Sequence, residues 1–113
     1  MLEEKANEMY SLLQDDKIDA FNKGRKGGVA VDLINATFRA FDLKGADLNG
    51  LDLSGAYFKN ADLRGQDFSN CNLDGSSLYN AKTSGVLFPE CYSADEISLS
   101  LLHGTRLRRL KQK

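Results

Sequence analysis

From residue 31 to residue 90 one large apolar side chain recurs at every fifth position, in the order Leu33, Phe38, Leu43, Leu48, Leu53, Phe58, Leu63, Phe68, Leu73 and Leu78, then Phe88 after an interruption at Thr83. A period of 5.0 matches neither the 3.6 of a helix nor the 2.0 of a strand, so no single regular element could hold these side chains on one side. The chain must therefore turn within every unit. In each unit the first position is usually small (Ala36, Ala46, Ala56, Ala61, Cys71, Ser76, Ala81) and the second is mostly Asp or Asn, as at Asp32, Asp42, Asp47, Asp52, Asp62, Asp67 and Asn72. Two inward residues spaced by two suit a short extended step, and the polar, Gly or Asn pair that follows suits a tight turn. Each unit then forms one side of a coil, with the central column as its core.

Ala46-Asp-Leu-Asn-Gly50 and Ala61-Asp-Leu-Arg-Gly65 match the motif Ala-(Asp/Asn)-Leu-x-x verbatim, and in this the sequence resembles the pentapeptide-repeat family. The resemblance covers about half of the chain. It implies a mainly β fold, a right-handed quadrilateral β-helix with four units and twenty residues per coil, hence about three coils in residues 31–90. Phe41, Leu51 and Gln66 place long side chains where the family prefers small ones, and Thr83 and Pro89 weaken the last coil. With twenty residues per coil, Cys71 and Cys91 would fall on one side in adjacent turns, where reduced thiols are expected because the chain reads as cytosolic.

The flanks differ from the repeats. Leu2, Ala6, Met9, Tyr10 and Leu13 are spaced as one face of an amphipathic helix, and a second short helical turn carries Ile18 and Phe21 behind Asp15 or Asp16 as N-cap, broken by the glycines from Gly24 to Gly28. Ser93 to Glu96 reads as a capping box that opens a helix through about Leu102, with Ile97 and Leu101 inward and Gly104 ending it. The organisation expected is an N-terminal helical cap at 1–28, the repeats at 31–90, and a C-terminal capping helix with a basic tail at 91–113, all in one domain. A bare stack of turns would expose apolar cross-section and unpaired backbone at both ends, so the flanking helices are expected to serve as lids.

Little here suggests catalysis. A net charge of −1, with 42% hydrophobic and 27% charged residues, describes an ordinary globular chain without the basic excess of a nucleic-acid binder. No apolar run approaches the roughly 18 residues of a membrane span, and the first residues lack the order of a secretory signal, so a cytoplasmic location is expected. Two cysteines and one histidine, His103, are too few for a zinc site, and the aspartates recur at the wrong period for calcium-binding repeats, so no metal or cofactor is expected. Those carboxylates are better placed to accept nearby backbone N–H groups at turns. The sequence reads as a non-enzymatic protein-interaction or scaffolding module whose partner is another protein, with Tyr57, Tyr79, Arg106, Arg108 and Arg109 as candidate contact residues and a homodimer through the coil ends as a further option. The family resemblance adds an alternative, a DNA-mimicking modulator of DNA gyrase, which the cations Arg39, Lys44, Lys59, Arg64 and Lys82 inside the repeats make a poor fit.

Overall fold

Each five-residue unit from 31 to 85 is closed by a backbone hydrogen bond from the first residue of the next unit to the carbonyl of the central residue, as in Ala36 N to Leu33 O (3.1 Å), Ala46 N to Leu43 O (3.1 Å) and Ala61 N to Phe58 O (3.0 Å). The chain is seen in a computed structural model that describes residues 7–110. The fifth residue of most units has a positive φ, which is what a type II turn requires at its third residue. Gly45, Gly50, Gly55, Gly65, Gly75 and Gly85 meet that requirement without strain, as do Asn35, Asn60 and Asn80 more tolerably, whereas Ala40 adopts it at φ 62° with a Cβ in the way. The Asp or Asn at the second position completes the turn. Its side-chain oxygen accepts the N–H two residues on, from Asp32 to Ile34 (3.2 Å), Asp42 to Lys44 (3.1 Å), Asp52 to Ser54 (3.0 Å) and Asn72 to Asp74 (3.0 Å).

Successive units do not pair with each other but with the unit twenty residues on. Parallel bridges join Thr37 to Tyr57 and Tyr57 to Ser77, Asp42 to Asp62 and Asp62 to Lys82, Asp52 to Asn72, and Asp67 to Leu87. The expected mainly β class, a right-handed quadrilateral β-helix, is nevertheless corrected: among the described residues there is no strand and no sheet, and the only regular elements are three short helices. The reason lies in the unit length. Five residues that include a four-residue turn leave one bridging residue per side, so every bridge stands isolated and adjacent bridges never merge into a strand. What stands in place of a sheet is a stack of turns tied by isolated parallel bridges at intervals of twenty.

The ten Leu and Phe residues from Leu33 to Leu78 in the central column are all buried, and Phe88, after the break at Thr83, is half-buried. Phe38 stacks on Phe58 with ring centroids 5.2 Å apart, and Phe58, Phe68 and Phe88 continue the column at 6.0 and 6.4 Å. Gln66 is buried despite its length. Its amide Nε2 donates to Leu43 O (2.6 Å) and Ala46 O (2.9 Å), so its polar end is satisfied by the backbone of the turn before. Cys71 likewise points inward, its thiol donating to Leu48 O (3.1 Å) and pushed up in pKa by burial.

The two ends are covered by the flanking segments. Helix α1 (Glu8–Gln14) is capped by Asn7, whose side chain accepts from Tyr10 N, and α2 (Ile18–Lys26) follows it directly. Leu2 and Ala6, assigned to the first helix from sequence, lie outside the described residues. The expected cap at Asp15 or Asp16 is replaced by Lys17, which has no side-chain capping bond, because Asp15 is the C-cap of α1 and Asp16 takes a left-handed conformation in the turn between the helices. The glycine stretch breaks α2 as expected, at its C-cap Gly27 and at Gly28 with φ 78°, whereas Gly24 lies inside the helix. It allows Met9 to lie against the helix, where a Cβ would come within 2.9 Å of the methionine Sδ and Cε. From this layer Tyr10 donates to Thr37 O, Asn22 to Gly45 O, and Arg25 to Asp47 O and Asn49 O, so first-turn carbonyls that have no turn beneath them find donors.

At the far end Ser93 caps α3 (Ala94–His103) by accepting from Glu96 N, and Gly104 ends it in a left-handed conformation at φ 74°. Ser100 Oγ accepts Leu78 N, Leu101 O accepts Asn80 N, and Tyr92 Oη accepts Leu73 N. The segment after Gly104 is not a free tail. It runs back along the stack with Leu107 buried, its carbonyl accepting Gly75 N (2.8 Å) and its N–H donating to Ser76 O (2.9 Å), which supplies the pairing that a further turn would have given.

Candidate binding face

The twenty-residue register sorts the repeats into four groups, and charge is distributed unevenly among them. Residues 31–35, 51–55 and 71–75 carry Asp32, Asp52 and Asp74, and residues 46–50, 66–70 and 86–90 carry Asp47, Asp67 and Glu90. Residues 41–45, 61–65 and 81–85 carry both signs, and there the charges neutralise each other. Lys44 lies 3.3 Å from Asp62, and Arg64 donates two hydrogen bonds to the same carboxylate at 2.9 and 2.7 Å, holding it well below the usual carboxylate range.

The remaining group, 36–40, 56–60 and 76–80, contains no acidic residue. Its second positions stack Thr37, Tyr57 and Ser77 through the parallel bridges, and its fourth positions stack Arg39, Lys59 and Tyr79. Lys59 Nζ sits 5.7 Å from the centroid of the Tyr79 ring, a cation–π contact worth about 0.5–1 kcal/mol at an exposed site. Neither Arg39 nor Lys59 meets a carboxylate among the described residues, in contrast to Lys44, Arg64, Arg108 and Arg109. The C-terminal end of α3 lies beside this face, and Ser77 Oγ donates to Gly104 O (3.1 Å). Between them opens a groove of about 410 Å³, lined by Tyr57, Lys59, Ser77 and Tyr79 from the turns and by residues 102–104. Leu102 is 69% exposed and Tyr79 38% exposed at its rim.

Of the five contact candidates taken from sequence, this geometry brings together Tyr57 and Tyr79 and commits the arginines elsewhere. Arg106 Nη1 donates to Gly75 O (2.6 Å) and more weakly to Gly55 O (3.4 Å), bracing two turn glycines at the corner that precedes the acid-free face. Arg108 forms a two-bond pair with Glu96 at 3.0 and 3.2 Å, which lowers the pKa of the Glu96 carboxyl and raises that of the guanidinium. Arg109 reaches Asp74 at 2.7 Å and lies over the Tyr92 ring. Burial pushes the Asp74 carboxyl up, but hydrogen bonds from Arg109 and Tyr92 outweigh it and leave the carboxyl lowered. Burial and the hydrogen bond to Asp74 together raise the Tyr92 phenol well above its ordinary value. The basic tail is thus a strap stitched to the last turn, and of its lysines Lys111 and Lys113 lie outside the described residues.

Lys59, Leu102 and His103 escaped the sequence reading as contact residues. The signal for Lys59 was available, since it and Tyr79 share the fourth position exactly one turn apart; nothing in sequence announced that the end of α3 would come to rest beside them. No group of His, Cys, Asp and Glu suited to hold a metal ion occurs among the described residues, and no described helix is long and apolar enough to cross a membrane.

A family model described as pentapeptide repeats matches residues 29–65 and 56–88, with 8 copies of the repeat. No curated protein and no solved structure matches the chain.

Proposed function

Since this chain belongs to the pentapeptide-repeat family, we propose that it is a non-enzymatic protein-interaction module that works in the cytoplasm and binds its partner through the face formed by residues 36–40, 56–60 and 76–80. The observation that carries this reading is the contrast between faces: three carry carboxylates, and the fourth carries no acid and sets Arg39 and Lys59, which meet no carboxylate among the described residues, beside Tyr79 and the exposed Leu102. Tyrosine and arginine are enriched at interface centres, and this face carries Tyr79 exposed, Tyr57 half-buried and Arg39 exposed. The inward column fills the interior of the stack with side chains, which leaves the surface for recognition. The Cys71 thiol, bonded to a backbone carbonyl, fits a reducing compartment.

Both ends of the stack are occupied by the protein's own helices and strap, which favours a lateral face over an end as the place where a partner docks. The alternative in which the surface imitates DNA needs unbroken negative charge, and Arg39 and Lys59 on one face with Lys44 and Arg64 on the next interrupt it. Affinity capture with the full-length tagged protein, in lysate of the organism that encodes it, tests the interaction reading. A specific protein recovered by the wild type and depleted by Tyr57→Ala with Tyr79→Ala is expected; recovery of no specific protein by the wild type would sink it.

A further inference from the structure

We infer that the partner presents to this face an extended acidic segment carrying one apolar side chain, an inference that rests on the interaction reading above. Arg39 and Lys59 stand at the same position in adjacent turns, and Lys59 reaches towards the Tyr79 ring one turn further on. Two cations one turn apart on a face without acids make that face locally positive. Among the described residues no carboxylate meets them: residues 36–40, 56–60 and 76–80 are free of acids, and of the nearby carboxylates Asp62 is held by Lys44 and Arg64 and Asp74 by Arg109. The missing counter-charge is therefore best supplied from outside.

The shape of the groove limits what can supply it. Tyr79 and Leu102 form an apolar rim at one end of the cationic column, so the ligand should be acidic along part of its length and apolar at one point. A peptide meets both conditions, with carboxylates on the side facing Arg39 and Lys59 and an aliphatic or aromatic residue between Tyr79 and Leu102. A continuous phosphate backbone supplies the charge but not the aliphatic side chain that the exposed Leu102 would meet. The exposed Asp52 on the preceding side repels an acidic peptide that slips off the column.

The test uses the full-length protein labelled with 15N and four probes: a twelve-residue peptide of Asp and Glu around a central Leu, its Asn and Gln counterpart, its Lys counterpart, and a single-stranded oligonucleotide of equal charge to the acidic peptide. The acidic peptide should shift the amides of Tyr57, Lys59, Ser77 and Tyr79 saturably and release on added salt. Lys59→Glu should weaken it by about tenfold or more, as expected for reversal of a close charge, while the dispersed amide spectrum shows that the variant keeps the fold. Arg39→Glu provides a second variant with the same expectation. Shifts that map to another face, equal binding of the Lys peptide, or stronger binding of the oligonucleotide would each overturn the inference. In the capture experiment, a partner retained equally by wild type and Lys59→Glu would overturn it while leaving the interaction reading intact.

Discussion

At the scale of single residues the fold is a sequence of turn requirements, and one residue meets its requirement badly. The fifth position of most units must hold a positive φ, which Gly or Asn supplies nearly everywhere, but Ala40 holds it at φ 62° against the clash of its own Cβ. For an L-residue the left-handed region costs roughly 1–2 kcal/mol, of which glycine's greater freedom in the unfolded chain returns about 0.5–1. Ala40→Gly should therefore raise stability by about 0.5–1 kcal/mol, read as a higher denaturation midpoint with an unchanged m-value; a lower midpoint would contradict the turn assignment. Position by position, the repeats were highly legible. The columns of Leu and Phe, the small first positions and the Asp or Asn that accepts an N–H all follow from what one tight turn every five residues demands. Less legible was Gln66, a long polar side chain at a small-residue position. Its burial depends on two carbonyls, Leu43 O and Ala46 O, that only the stacked register brings into reach.

At the scale of elements the sequence spoke unevenly. Helix α3 was readable from its two ends, because Ser93 caps it and Gly104 terminates it by local chemistry alone. The strands were expected and are absent, since a unit of five with a turn inside it has room for one bridging residue and no more. The path of the segment after Gly104 was not legible, because a short basic stretch carries no periodic signal of where it lies. Its position is fixed by what the last turn lacks, namely partners for Gly75 N and Ser76 O, and by Leu107, which fills the gap. Two clamps hold it, Arg108 on Glu96 and Arg109 on Asp74, and both carboxyls are lowered in the folded protein. A lowered carboxyl contributes stability that is complete above its unfolded value, about 4 for Asp and Glu, and is lost as pH falls through the folded value. The melting temperature should accordingly be flat near neutrality and fall below about pH 4, more gently in Glu96→Gln, which cannot titrate. A melting temperature that rises on acidification would contradict the clamps.

At the scale of the whole molecule, function follows from register. Only because residues twenty apart lie in adjacent turns do Tyr57, Lys59 and Tyr79 share a face, and only then does that face differ from its neighbours in having no acid. The interval of twenty came to the sequence reading through family resemblance, since the period of five by itself leaves the number of units per turn open. The groove beside α3 had no signal in sequence, because it depends on how the C-terminal helix packs against the stack. The most direct test of this account is a map of proton–proton nuclear Overhauser contacts across residues 31–90 in solution. Contacts between residues twenty apart, above all between the Phe38 and Phe58 rings whose centroids lie 5.2 Å apart, are the predicted result. A pattern dominated by contacts three and four residues apart, with none at twenty, would contradict the stack and the binding face built on it.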